Sequence, residues 1–170
     1  MLKLPKRKIE LVPYDNNYKS MFTSEKSKIK GILPIDVEVE HVGSTAIVGI
    51  RSKPIIDILL IVPKSFPYET VTNDLRKIGY FFIPELVDYR PNRRVYWKGS
   101  NDVHKYHIHC CKSDSQDIMK LINFRDRVNK SDELKIKYEK IKENLIKEND
   151  SDVSKYAMGK DSFIDFVLGS

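Results

Sequence analysis

Hydrophobic positions along this chain change period once, and the change divides it into a strand-rich first part and a helical tail. Ile9-Glu10-Leu11-Val12 reads as a short strand within an N-terminal arm. Pro13 and Asp15 then open a helix to about Lys30, where Tyr18, Met21, Phe22 and Ile29 form an apolar stripe, and Gly31 and Pro34 end it. Apolar runs at about 36–42 and 55–62 predict two strands. Pro63 and Pro67 bound the second, and a short helix over about 68–78 stops at Gly79. Tyr80 to Ile83 predicts a further strand. Residues 93–98 and 104–111 predict a hairpin turning at Gly99-Ser100-Asn101-Asp102. From Ser113 the spacing becomes helical, with helices expected near 115–129, 132–148 and 151–167, and with Ser131 and Ser151 (or Asp150) as N-caps. In the middle tail helix, Ile136, Tyr138, Ile141 and Leu145 supply the expected buried side. This order predicts an α+β fold: a mixed β-sheet, helices packed mainly on one side, and a helical C-terminal tail.

Composition narrows the class. At 170 residues, 41% hydrophobic and 32% charged, residues 1–170 read as a single globular domain. The net charge of +6 comes from 30 basic against 24 acidic residues, a balance that admits anionic ligands without demanding nucleic acid. The Lys/Glu-rich span from Asp132 to Lys147 reads as a solvated amphipathic helix rather than a nucleic-acid arm. The two cysteines, Cys110 and Cys111, are adjacent; strand neighbours face opposite ways, so reduced thiols are expected rather than a disulfide or a zinc knuckle. No signal-peptide pattern and no run of about 20 apolar residues is seen, so a cytoplasmic protein without a membrane partner is expected.

The chemistry concentrates between Val37 and Val62. Glu38 and Glu40 alternate along the first strand, Gly43-Ser44-Thr45 breaks it, and Asp57 lies inside Ile55-Ile56-Asp57-Ile58-Leu59-Leu60. An ionised carboxylate there is costly to bury without compensation, so it is expected to face a cation, a basic side chain or a ligand. The Gly-Ser turn offers backbone N–H groups suited to phosphate. All four histidines fall in predicted strands: His41, His104, His107 and His109. His107 and His109 leave one face of their strand together, a pair suited to a divalent metal, a phosphate or acid–base chemistry. His41 lies opposite to Glu38 and Glu40 if its strand is regular. Lys53 is a candidate partner of Asp57 or of a phosphate.

Gly43-Ser44, a spacer, and an acid on the next strand resemble the nucleotidyltransferase superfamily related to DNA polymerase beta, whose members carry two acids there for a pair of magnesium ions. Here Asp57 occupies the second position and Ile55 the first, and the two-metal arrangement needs enough carboxylate to hold ions about 4 Å apart. A closer resemblance spans almost the whole chain. Glu40-His41-Val42-Gly43-Ser44-Thr45-Ala46, Gly49, Lys53-Pro54-Ile55-Ile56-Asp57-Ile58, His107-Ile108-His109, Phe124-Arg125-Asp126, and Lys155-Tyr156 with Lys160 and Phe163-Ile164 are similar to the GrpB family, small bacterial proteins of nucleotidyltransferase fold that also occur fused to dephospho-CoA kinase. That family carries the single Asp of the Lys-Pro-Ile-Ile-Asp motif.

The resemblance implies a nucleotide or phosphorylated small molecule as partner and a divalent metal, Mg2+ or another, as cofactor. Asp57, Glu40 and His109 are then the expected catalytic residues, and Asp57, His107, His109 and Glu40 the expected metal ligands. Gly43, Ser44, Thr45, Lys53, Arg125 and Lys160 are the expected anion contacts. Nucleotidyl transfer is the implied reaction. A non-catalytic module binding a nucleotide or coenzyme A precursor, and a metal-dependent phosphoester hydrolase, are the alternatives.

Overall fold

The computed structural model describes residues 9–100, 103–149 and 152–169. Five strands, β1 (Glu38–Val42), β2 (Ile56–Val62), β3 (Phe81–Phe82), β4 (Arg93–Ser100) and β5 (Val103–Lys112), form one mixed sheet in the order β1-β2-β5-β4-β3. β2 and β5 run parallel, and the other neighbours pair antiparallel. The helices are α1 (Tyr18–Ile32), α2 (Tyr68–Lys77), α3 (Asp117–Asn129), α4 (Asp132–Asn149), α5 (Val153–Met158) and α6 (Asp161–Leu168).

Strand alternation sorts the sheet into two faces. Val39, Ile56, Ile58, Leu60, Val62, Tyr96, Ile108 and Cys110 point one way and are buried against α1 and α2 through Tyr18, Ile29, Val71 and Leu75. This is the main core, under α1 and α2. The opposite face is covered only in part: Val42, Leu59 and Cys111 meet Ile118, Leu121 and Ile122 of α3. A separate cluster joins the tail helices to the loop before β2, where Phe124, Tyr138 and Phe163 pack on Ile47 and Ile50. The uncovered part of the second face lies between sheet and tail, and it holds Asp57, His107 and His109.

Several local expectations change. The N-terminal strand reduces to a single bridge between Val12 and Ser52, because Pro13 ends its pairing. The last predicted helix breaks into α5 and α6 at Gly159-Lys160, where glycine, a weak helix former, packs against the Leu145 side chain of α4. Ser131 caps α4 as expected, its Oγ accepting from the Leu134 N–H at 3.2 Å. Asp152 caps α5 at 3.0 Å, while Asp150 and Ser151 lie outside the described residues. Ile136 is 67% exposed instead of buried. It sits about 200° around the helix from Tyr138, and the buried place one turn from Tyr138 goes to Lys142. Among the described residues no helix is long and apolar enough to cross a membrane.

Candidate functional site

The parallel β2–β5 ladder sets Asp57 beside His107 and Leu59 beside His109, all on one face. Asp57 Oδ1 lies 3.3 Å from His109 Nε2 and 3.6 Å from His107 Nδ1. Burial works to raise the Asp57 pKa, but the hydrogen bonds and charges of His107 and His109 outweigh it and hold the carboxyl well below the usual range. His109 moves the other way. Burial first, then the nearby positive charge of Arg93, lower it to about 4 against the pull of Asp57. At neutral pH the pair is therefore a carboxylate receiving a hydrogen bond from a neutral imidazole. His109 Nδ1 is buried with no hydrogen-bond partner among the described residues. His107 Nε2 is 2.7 Å from His104 Nδ1, and the His104 ring stacks on Trp97 at 4.2 Å.

Gly43 closes over Asp57 from β1. Its backbone, at φ 72° and ψ −170°, occupies a region that only glycine adopts readily. A Cβ at this position would fall 2.8 Å from Asp57 Cβ and 2.9 Å from its Cγ, and closer still to Oδ2. The next three residues form a 3₁₀ turn, Ser44–Ala46. Ser44 Oγ donates to the Tyr138 hydroxyl at 3.2 Å, which ties the turn to α4. Thr45 turns inward and is 1% exposed. Its hydroxyl donates to the Ile55 carbonyl at 3.2 Å and so accepts from His41 Nε2 at 3.0 Å. The Thr45 side chain is thus committed to the protein, leaving its backbone for an anion.

Three lysines gather beyond Ser44. Lys53 Nζ and Lys160 Nζ lie 4.9 and 4.8 Å from the Tyr156 ring centre, and Lys142 Nζ lies 4.6 Å from that of Tyr138. Lys142 is almost fully buried and donates to the Arg51 carbonyl. Burial, with the charge of Lys160, lowers its pKa to about 7. Lys160 differs. Burial opposes its charge, yet Tyr138, Tyr156, Asp57 and Asp161 outweigh that and raise its pKa. Lys160 stands at the break, as the residue before α6, and its Nζ sits over the Tyr156 ring.

Glu40 and Arg125 stand apart from the Asp57 cluster. Arg125 Nη1 donates to Glu40 Oε2 at 3.0 Å and to the His41 carbonyl at 2.8 Å, while Nε holds Asp126 at 2.7 Å. These bonds cap the open edge of β1. His41 stacks on Phe22 at 4.9 Å on the α1 side, as strand alternation requires. Glu40, His41 and Arg125 instead line a cavity of about 340 Å3 between α1 and α3. Of the expected site residues, the structure therefore groups Asp57, His107, His109 and Gly43, with Ser44, Lys53 and Lys160 leading into the tail. Tyr138, Lys142 and Tyr156 were not anticipated as site residues, although Tyr156 lies in a motif already singled out. Lys142 gives no signal inside a Lys/Glu run.

The model for the family described as GrpB protein matches residues 8–169. Glutamate-rich protein GrpB of Alkalihalophilus pseudofirmus is 32% identical over 174 residues, covering 99% of this chain and 98% of that protein. The crystal structure of conserved protein GrpB from Enterococcus faecalis is similar with a TM-score of 0.81 at 26% identity, covering 94% of this chain and 95% of that one. A crystal structure of the Cid1 poly (U) polymerase with Mg 3′-dATP bound matches with a TM-score of 0.54 at 14% identity, over 89% of this chain and 49% of the polymerase chain. That likeness shows the nucleotidyltransferase-like fold expected from the Gly43-Ser44 and Asp57 spacing.

Proposed function

The chain belongs to the GrpB family, and on that premise we propose that it binds a nucleotide or a related phosphorylated metabolite, with one divalent cation, between the Asp57 cluster and the lysines of the tail. The observation that carries this reading is the convergence of Asp57 with His107 and His109 at 3.3–3.6 Å beside the Gly43-Ser44 turn. Ligands about 2.0–2.1 Å from a tetrahedral ion lie about 3.4 Å from each other. The two distances from Asp57 Oδ1 match that spacing, and imidazole favours a zinc-like or other transition metal over magnesium. Glu40 is committed to Arg125, so Asp57 and the two histidines are the residues that would hold the ion.

The chemistry of such an ion is to polarise a phosphate oxygen and spread the charge developing on it. The chain's own residues divide the remaining work. The backbone N–H groups of Ser44 and Thr45 in the 3₁₀ turn hold phosphate oxygens, as turn N–H groups do. Lys160 and Lys53 neutralise phosphate charge from the tail side, and Tyr156 between them fixes their direction. Gly43 allows the turn to approach Asp57 without a side chain in between. Nucleotidyl transfer to an acceptor hydroxyl is the reaction this arrangement supports. Ile55, standing where the superfamily carries a second acid, supports instead a binding module without turnover, which is the second reading.

Thermal unfolding with zinc, manganese or magnesium, each with and without nucleoside triphosphates, tests the proposal. Metal plus nucleotide is expected to raise the melting temperature, and D57A or H109A to abolish the rise. No shift with any combination would sink it. Release of pyrophosphate, or its absence despite binding, separates transfer from binding alone.

A further inference from the structure

A second cavity, of about 270 Å3, opens between β4, α3 and α6. Arg93 forms part of its wall. On β4, Val95 pairs with His109 and Arg93 pairs with Cys111 one step further along, so Arg93 shares the sheet face of Asp57 and His109. Its side chain is only 10% exposed, and its Nε is buried without a hydrogen-bond partner. The nearest carboxylate oxygen, Asp117 Oδ2, lies 3.6 Å from that nitrogen, too far for a hydrogen bond. A guanidinium held this way has an unused N–H in a fixed plane, and such a fork suits the paired oxygens of a phosphate or carboxylate.

The rest of the cavity agrees with that chemistry. Lys120 is exposed on α3 at the rim and forms no ion pair with a described residue. Arg90 and Asp161 neutralise one another at 2.7 Å, and Tyr89 also donates to Asp161, so this acid is occupied. Leu121 and Phe124 supply an apolar wall. Asp165 lines the cavity on the α6 side. Burial lowers the Arg93 pKa, against the pull of Asp117 and Asp57.

We propose that the cavity beside Arg93 is an oxyanion subsite that anchors the acceptor, so that the acceptor is a small molecule carrying a phosphate or carboxylate group. The acceptor role rests on the group-transfer reading above; oxyanion binding at Arg93 does not. Inorganic phosphate, methyl phosphate and acetate are the probes, titrated into the full chain and followed by thermal shift and by calorimetry. Losing a charged hydrogen bond costs roughly tenfold or more in affinity. In a K160A background, which removes that lysine from the phosphate site proposed above, R93Q is therefore expected to weaken the preferred anion by about that factor, and K120E by severalfold. Tighter methyl phosphate than acetate identifies a phosphorylated acceptor, and the reverse a carboxylate. Circular dichroism checks the fold of each variant; if R93Q does not fold, K120E, on an exposed residue, decides. In K160A, an anion affinity that neither R93Q nor K120E lowers, or no anion binding at all, overturns the proposal. Nucleotide and metal stabilisation, read in R93Q and K120E with Lys160 in place, depends on Asp57 and Lys160 and stands or falls separately.

Discussion

Replacing Gly43 by alanine attacks the one place where turn and carboxylate meet without a side chain between them. Two costs add. At φ 72° and ψ −170° a residue with a Cβ is strained by about 1–3 kcal/mol. The added methyl would also lie 2.8 Å from Asp57 Cβ, and relieving such overpacking costs about 1–3 kcal/mol more. The sum, about 2–6 kcal/mol, is a large share of the roughly 5–15 kcal/mol that stabilises a domain. In urea, where small proteins lose about 1–3 kcal/mol per molar denaturant, the midpoint of G43A should fall by about 1 M or more. A double-mutant cycle isolates the steric part. D57G removes the atoms that the new methyl meets, so G43A should cost about 1–3 kcal/mol less in that background. A stability unchanged to within about 0.5 kcal/mol would refute both the close approach and the strain, and a cycle with no coupling would refute the close approach.

Other consequences follow from buried charge and capping. His41 and His109 are both held near 4 by burial, so the unfolded chain binds protons that the folded one does not as pH falls below about 6.5. Stability is then full above pH 6.5 and is lost down through pH 4, by about 3 kcal/mol for each ring. H41N should remove one share of that loss, and an equal loss in H41N and the parent in urea titrations at pH 7 and pH 4 would count against it. Lys142, near 7 instead of 10.5, should make stability rise between pH 7 and 9.5 by up to about 3 kcal/mol, and K142M should flatten the rise. A parent profile already flat over that range rules this out. D152A should cost about 1 kcal/mol through loss of the α5 cap, with protection of the Lys155 amide in hydrogen exchange as the local readout.

The centre of the site was legible because its geometry is that of strands. Two-residue spacing put His107 and His109 on one face, and an acid inside an apolar run required a partner. Parallel pairing then supplied the match between Asp57 and His107. The tail's contribution was not legible in the same way. Lys142 sits in a run of lysines and glutamates whose composition describes a solvated helix, and only the packing of α4 decides which lysine turns inward. Lys160 depends on a break at Gly159 that helical periodicity passes over. Glu40 shows the opposite failure: its strand face agrees with Asp57, but Arg125, arriving from α3, takes its carboxylate away. Face is a local property of a strand, whereas the partner is chosen by whatever element packs above it.

Because β2 and β5 are joined through residues 63–102, the contact between Asp57 and His109 spans 52 positions of sequence. The β4–β5 pairing joins strands adjacent in sequence, so it is local and can form early; the capture of β2 beside β5 is a long-range event and forms slowly. A chain stopped between these steps carries both imidazoles but no carboxylate to meet them. Ligand or metal binding at Asp57 would therefore serve as a clock for the last pairing of the sheet, and a refolding trace followed by binding should lag behind one followed by hairpin fluorescence at Trp97.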